Sequence, residues 1–230
     1  MIDDRVPGCC SRRGFLHGAA ASAIGAITVD FALPHVANAQ TKLTPDAALR
    51  QMMDGNRRYV ERRLQSFNED LALLRQTTES KQEPFAAVLS CADSRVPAEI
   101  VFDQSIGQLF VTRVAGNVAT TEIIASLEYG AAVLGTAAIM VLGHANCGAV
   151  KAAIAAKEVP GQISALYAPL RPAVDEAGTD AEAAIKANAK IQAHLISKSS
   201  PVLAGLINAG KLKIVAGYYD LKTGAVELLA

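Results

Sequence analysis

Four short apolar runs, residues 85–90, 109–114, 137–142 and 212–218, are separated by stretches in which apolar side chains recur at helical spacing. Short apolar runs bounded by turn residues read as buried strands. Strands that alternate with helices fold into a parallel sheet with helices on its faces. The chain is therefore expected to be α/β, with a central, mostly parallel β-sheet flanked by helices and a fifth strand candidate at residues 225–229. Thr44-Pro45 reads as an N-cap followed by proline at the first helical position, opening an amphipathic helix over residues 45–63. Further helices are expected at residues 97–102, 121–134, from Cys147 onward, 163–174, 181–197 and beyond Pro201.

Composition fits one globular domain behind a leader. Of 230 residues, 51% are hydrophobic and 19% charged, enough apolar material for one sizeable core. Basic and acidic residues balance at 22 each with no basic run, which argues against a nucleic-acid partner and for a small molecule. The first forty residues differ. Ser11-Arg12-Arg13-Gly14-Phe15-Leu16 precedes an alanine-rich apolar stretch ending in Ala37-Asn38-Ala39, the pattern of a signal-peptidase site. The twin arginines resemble the export signal that passes folded proteins. Residues 1–39 are thus expected to be a signal peptide and residues 40–230 the mature domain, exported to the periplasm with no stable membrane anchor after cleavage. Asp30 and Pro34 interrupt a stretch already short for a span of about 20 residues.

Removing the leader leaves Cys91, Cys147, His144 and His194 as the soft or imidazole ligands of the mature chain. Cys91 stands at the exit of the first strand, within Cys91-Ala92-Asp93-Ser94-Arg95. His144 stands at the exit of the third, within His144-Ala145-Asn146-Cys147. In an open parallel sheet, ligands bind beyond the carboxyl ends of strands at a topological switch point, where these segments would meet. Two thiolates and one imidazole are a zinc ligand set with the fourth position left open, as a catalytic zinc requires. Zinc lowers the pKa of bound water towards 7, and the resulting hydroxide is a nucleophile. Asp93 can accept a hydrogen bond from that hydroxide while Arg95 holds the carboxylate ionised and fixed. Cys147, opening a helix, gains thiolate character from the helix dipole. The competing reading is a Cys91–Cys147 disulfide, which an oxidising compartment favours but which requires neither His144 nor Asp93 at these offsets.

Cys-x-Asp-x-Arg followed about fifty residues later by Gly-His-x-x-Cys-Gly resembles the signature of the β-class carbonic anhydrases. The resemblance extends through Arg113-Val114-Ala115-Gly116-Asn117, Ser126-Leu127-Glu128-Tyr129 and Gly217-Tyr218-Tyr219-Asp220. It implies one zinc per subunit on Cys91, His144 and Cys147, an Asp93-Arg95 catalytic dyad, and substrate or bicarbonate binding by Gln82. The implied reaction is reversible hydration of carbon dioxide to bicarbonate and a proton. It also implies a homodimer or higher homo-oligomer in which the N-terminal helix packs on a partner subunit and completes the active site. Val114 departs from the asparagine of many relatives, and the absence of tryptophan argues against the inhibitory bicarbonate site of one subset. A hydrolase of carbonyl sulfide or carbon disulfide and a non-catalytic bicarbonate sensor are the rival functions.

Overall fold

The structure is a computed structural model and describes residues 41–230; the leader and cleavage site expected over residues 1–39 lie outside the described residues. Elements follow in the order α1 (Pro45–Val60), α2 (Leu71–Thr78), β1 (Ala86–Ser90), α3 (Ala98–Val101), β2 (Leu109–Arg113), α4 (Thr121–Glu128), β3 (Ala138–His144), α5 (Gly148–Ala155), α6 (Tyr167–Ala177), α7 (Ala181–Ser199), α8 (Pro201–Asn208), β4 (Lys213–Tyr219) and β5 (Val226–Leu229).

The strands form one sheet in the order β2-β1-β3-β4-β5. The first three pairings are parallel and β5 closes the far edge antiparallel to β4. All residues of β1 and β3 are buried, as strands covered on both faces must be. Side chains alternate between the faces. Ala138, Met140 and Leu142 join one core with Val88, Met52 and Phe102, while Ile139 and Val141 join a second with Leu89, Leu127 and Ile196. Burial of each such large side chain contributes about 1.5–3 kcal/mol.

The chain leaves β1 for β2 on one side and returns to β3 on the other, so the switch point lies between the carboxyl ends of β1 and β3. The register pairs Ser90 with Leu142, which sets Cys91 level with Gly143 and one step from His144.

The helix starts follow their sequence signals. Thr44 Oγ1 accepts from the Ala47 amide with Pro45 next in the chain, Asp180 caps α7, and Ser200 caps α8 ahead of Pro201. Several expectations are corrected. The N-terminal helix stops at Val60 instead of residue 63, because Arg62 turns left-handed at φ 58°. The helix expected over residues 121–134 is α-helical only to Glu128 and continues as a π turn over Tyr129–Val133. The third strand extends two residues further, so His144 is its last residue, paired with Tyr219 of β4. Helix α2 was not anticipated; none of its residues is buried, so it carries no apolar stripe facing its own core. Among the described residues, no helix is long and apolar enough to cross a membrane.

Candidate metal centre

Cys91 opens the loop between β1 and α3 and is buried against Val118, Cys147, Val150 and Leu170. The loop is held from two sides. The Ala92 amide donates to the Val114 carbonyl at 3.3 Å and the Val96 amide to the Asp93 carbonyl at 3.1 Å. Arg113, the last residue of β2, donates from Nε to the Cys91 carbonyl at 3.0 Å and from Nη2 to the Asp93 carbonyl at 2.5 Å. His144, fully buried, leaves β3 into a tight turn completed by Asn146 at φ 58°, a left-handed position that asparagine tolerates well. That turn delivers Cys147 to the N-cap of α5.

The three side chains converge. The Cys91 and Cys147 sulfurs and a ring nitrogen of His144 lie within 4.8 Å of one another. Both cysteines are free thiols, with 4.0 Å between their sulfurs, so the disulfide is not formed. Two thiolates bonded tetrahedrally to zinc at about 2.3 Å stand about 3.8 Å apart, close to the observed separation. His144 Nδ1 lies 2.9 Å from the Ala145 carbonyl, which fixes the proton there and leaves the Nε2 lone pair free. That buried Nε2 has no hydrogen-bond partner in the protein. A buried imidazole nitrogen with no protein partner, facing two sulfurs, is the donor chemistry of a zinc site, and the residues fit a zinc ion.

The two thiols are drawn in opposite directions. A hydrogen bond from the Cys147 thiol, with the Gly116 amide, outweighs burial and draws the Cys91 thiol down. The same hydrogen bond, reinforced by burial, pushes Cys147 up. The amides of Ala149 and Val150 at the start of α5 oppose that rise, which is the helix-terminus effect expected at this position. A dication in this position would favour both thiolates.

Asp93 stands beside the three donors, with Oδ2 3.9 Å from His144 Nε2. Its carboxylate is turned onto Arg95, which grips it in a fork, Nε to Oδ1 at 2.9 Å and Nη2 to Oδ2 at 2.7 Å, while the Arg95 amide also donates to Oδ1 at 2.9 Å. Those bonds, the side-chain ones foremost, hold Asp93 well below the usual carboxylate range and raise Arg95. Asp93 and Arg95, paired in the sequence reading, are thus in direct contact.

Gln82 is exposed on the segment before β1, beside Thr78, Lys81, Tyr129 and Val133. Cys91 follows the other end of that five-residue strand. At roughly 3.3 Å per residue the strand alone spans about 17 Å, so the structure does not bring Gln82 to the donors of its own chain. His194 is exposed on α7 and is not among the three clustered donors. Sequence reading gave Arg113 no task, and it passed over Asn188 and Gln192, polar residues four apart and both buried on α7.

The family described as Carbonic anhydrase matches residues 86–226, which include all three donors and the dyad. The chain belongs to the carbonic anhydrase family, and its fold is that of the β class. It is 38% identical over 194 residues to a carbonic anhydrase of Mycolicibacterium smegmatis, covering 80% of this chain and 93% of that one. It is 45% identical over 112 residues to carbonic anhydrase 2 of Mycobacterium tuberculosis, covering 49% of this chain and 54% of that one. Among solved structures, the Coccomyxa β-carbonic anhydrase in complex with acetazolamide superposes with a TM-score of 0.62 at 25% identity, over 79% of this chain and 86% of that one.

Proposed function

We propose that Cys91, His144 and Cys147 hold one zinc ion and that the chain there hydrates carbon dioxide reversibly to bicarbonate and a proton, with Asp93 and Arg95 as its catalytic dyad. The observation that carries this reading is the convergence of two free thiols and an unpartnered buried imidazole nitrogen beside an arginine-clamped carboxylate. Zinc, when bound, supplies the Lewis acidity that makes water a nucleophile near neutral pH.

The rest falls to the protein. Arg95 occupies one edge of the Asp93 carboxylate and keeps it ionised, so the remaining lone pairs are free to accept a hydrogen bond from the attacking water. The fork also stops the carboxylate from rotating, which fixes the direction in which the water's oxygen presents its lone pair. Arg113 holds the carbonyls on both sides of the turn and so keeps Asp93 in register with Cys91. Side chains of Asp93 and Arg95 are both solvent-touched, giving the released proton a short route to buffer.

The active form on this reading is a homodimer or larger. Helix α1 buries Ala48, Leu49 and Met52 in its own subunit, whereas α2 leaves Leu71 and Leu73 59% and 58% exposed. Exposed leucines on a helix with no buried residue are suited to a second copy. Gln82, remote from its own donors, could serve only the metal centre of a partner. The Sordaria macrospora β-carbonic anhydrases, which share this fold at a TM-score of 0.61, are described as tetrameric. A leader over residues 1–39 would place the mature domain outside the cytoplasm.

The test is Asp93→Asn. The proposal expects stoichiometric zinc with most hydration activity gone. A variant that hydrates carbon dioxide as fast as the parent removes the dyad from the mechanism. Lost activity with undiminished bicarbonate binding is expected equally of a catalytic Asp93, so the rate decides.

A further inference from the structure

Helix α7 carries two amide side chains, Asn188 and Gln192, each 1% exposed, on a face otherwise made of Ala184, Ile185, Ala189 and Ile196. Burying amides among apolar neighbours is costly unless their donors and acceptors are matched. Here they are matched against residues 116–119 and the Pro169 carbonyl of α6. Asn188 Nδ2 donates to the Gly116 carbonyl at 2.9 Å, and Gln192 Oε1 accepts from the Ala119 amide at 2.9 Å. Gln192 Nε2 donates to Asn188 Oδ1 and to the Pro169 carbonyl, both at 3.1 Å, which fixes the orientation of both amides.

The segment so held contains Gly116 at φ 76°, ψ 11°, a conformation in which its N–H donates to the Cys91 sulfur at 3.3 Å. The backbone angle favours glycine, and an added Cβ would also sit tightly against Leu170 and Ala149 at 3.2–3.3 Å. The relay runs from α7 through Gly116 to the sulfur.

We propose that Asn188 and Gln192 are positioning residues of the metal centre, holding the Gly116 amide on the Cys91 sulfur so that the thiolate is oriented and its donor strength moderated. The inference rests on the zinc reading above. An N–H bond withdraws electron density from a thiolate, so a metal held by that sulfur keeps more of its Lewis acidity. Removing Asn188 leaves the Gly116 carbonyl unpaired and frees the turn to swing its N–H away from sulfur.

The experiment uses the full chain loaded with cobalt(II) or zinc, comparing Asn188→Ala with Ile196→Ala, a core truncation on the same helix outside the relay. The proposal expects Asn188→Ala to bind metal about 10–100-fold more weakly, in the range of lost supporting hydrogen bonds. It also expects the thiolate-to-cobalt charge-transfer band to move to lower energy, while Ile196→Ala leaves the band in place. Gln192→Ala, which loosens Asn188 without removing it, should move both readouts less and in the same direction, and serves if Asn188→Ala does not fold. An unmoved band with affinity within twofold of the parent in the folded Asn188 or Gln192 variant overturns the proposal, as does an equal band shift in Ile196→Ala. Failure of the unmutated chain to bind one metal ion overturns the zinc reading instead, and is seen before any variant is made.

Discussion

Arg113 and Cys91 are 22 positions apart and are joined by one hydrogen bond, from the guanidinium Nε to the carbonyl oxygen at 3.0 Å. The same guanidinium reaches the Asp93 main-chain carbonyl, so a single side chain from β2 ties the backbone of Cys91 and of Asp93 to the sheet. Arg113→Met keeps the aliphatic stem and removes both bonds. Hydration activity should fall about 10–100-fold with zinc still bound, as for other supports of ligand residues. Lysine, a point donor without the fork, should recover only part of the loss. Steady-state rates on zinc-quantified protein check both.

Asp103, just after α3, links the segment at Gln65-Ser66 to α1. Its buried carboxylate accepts from the amides of Gln65 and Ser66 and from Arg58 Nε. Burial alone would raise it, but these donors together outweigh burial and leave it lowered. A carboxyl whose folded value lies below its unfolded value of about 3.9 contributes its full stability above that pH and loses it as pH falls through the folded value. Asp103→Asn should therefore cost ~2 kcal/mol at neutral pH, and its stability should decline less steeply than the parent's below about pH 4. Urea unfolding across pH 3–7 reads both.

Gly55 lies inside α1, where alanine would normally gain about 1 kcal/mol of helix propensity. A Cβ at this position would sit 1.8 Å from the Phe102 carbonyl oxygen. Backbone of α3 cannot yield cheaply, and overpacking of this kind costs about 1–3 kcal/mol or more. Gly55→Ala should thus destabilise, opposite to the propensity argument, by a lowered urea midpoint.

The metal centre was readable because its donors come in two contiguous motifs, each placed at a strand exit by patterning alone. Cys91, Asp93 and Arg95 need only one turn to meet, and His144 and Cys147 one more. The supporting contacts were not readable for the opposite reason. Asn188 meets Gly116 across 72 positions, and a polar residue on an amphipathic helix looks solvent-facing until the helix is packed. Helix α2 escaped because its leucines do not face the core whose periodicity marks helices, and the π turn at Tyr129 because the apolar pattern of α4 runs through it. The Gln82 position depends on the direction of β1, which spacing from Cys91 cannot express.

Leu73 tests the assembly. Replacing an exposed leucine of α2 with lysine should leave a lone subunit unharmed, within about 0.5 kcal/mol, but should weaken an interface built on that helix. Sedimentation should show the parent as a dimer or larger and Leu73→Lys shifted towards monomer, with activity falling as the assembly dissociates. A parent that sediments as a stable, active monomer contradicts the oligomer reading.

The central claim is that the cluster of Cys91, His144 and Cys147 holds a catalytic zinc. Its most direct test is stopped-flow carbon dioxide hydration by the zinc-loaded protein at mildly alkaline pH, beside Cys91→Ser under the same conditions. The account predicts fast turnover in the parent and none in the variant. No turnover from parent protein carrying stoichiometric zinc, or turnover that survives in Cys91→Ser, would contradict it.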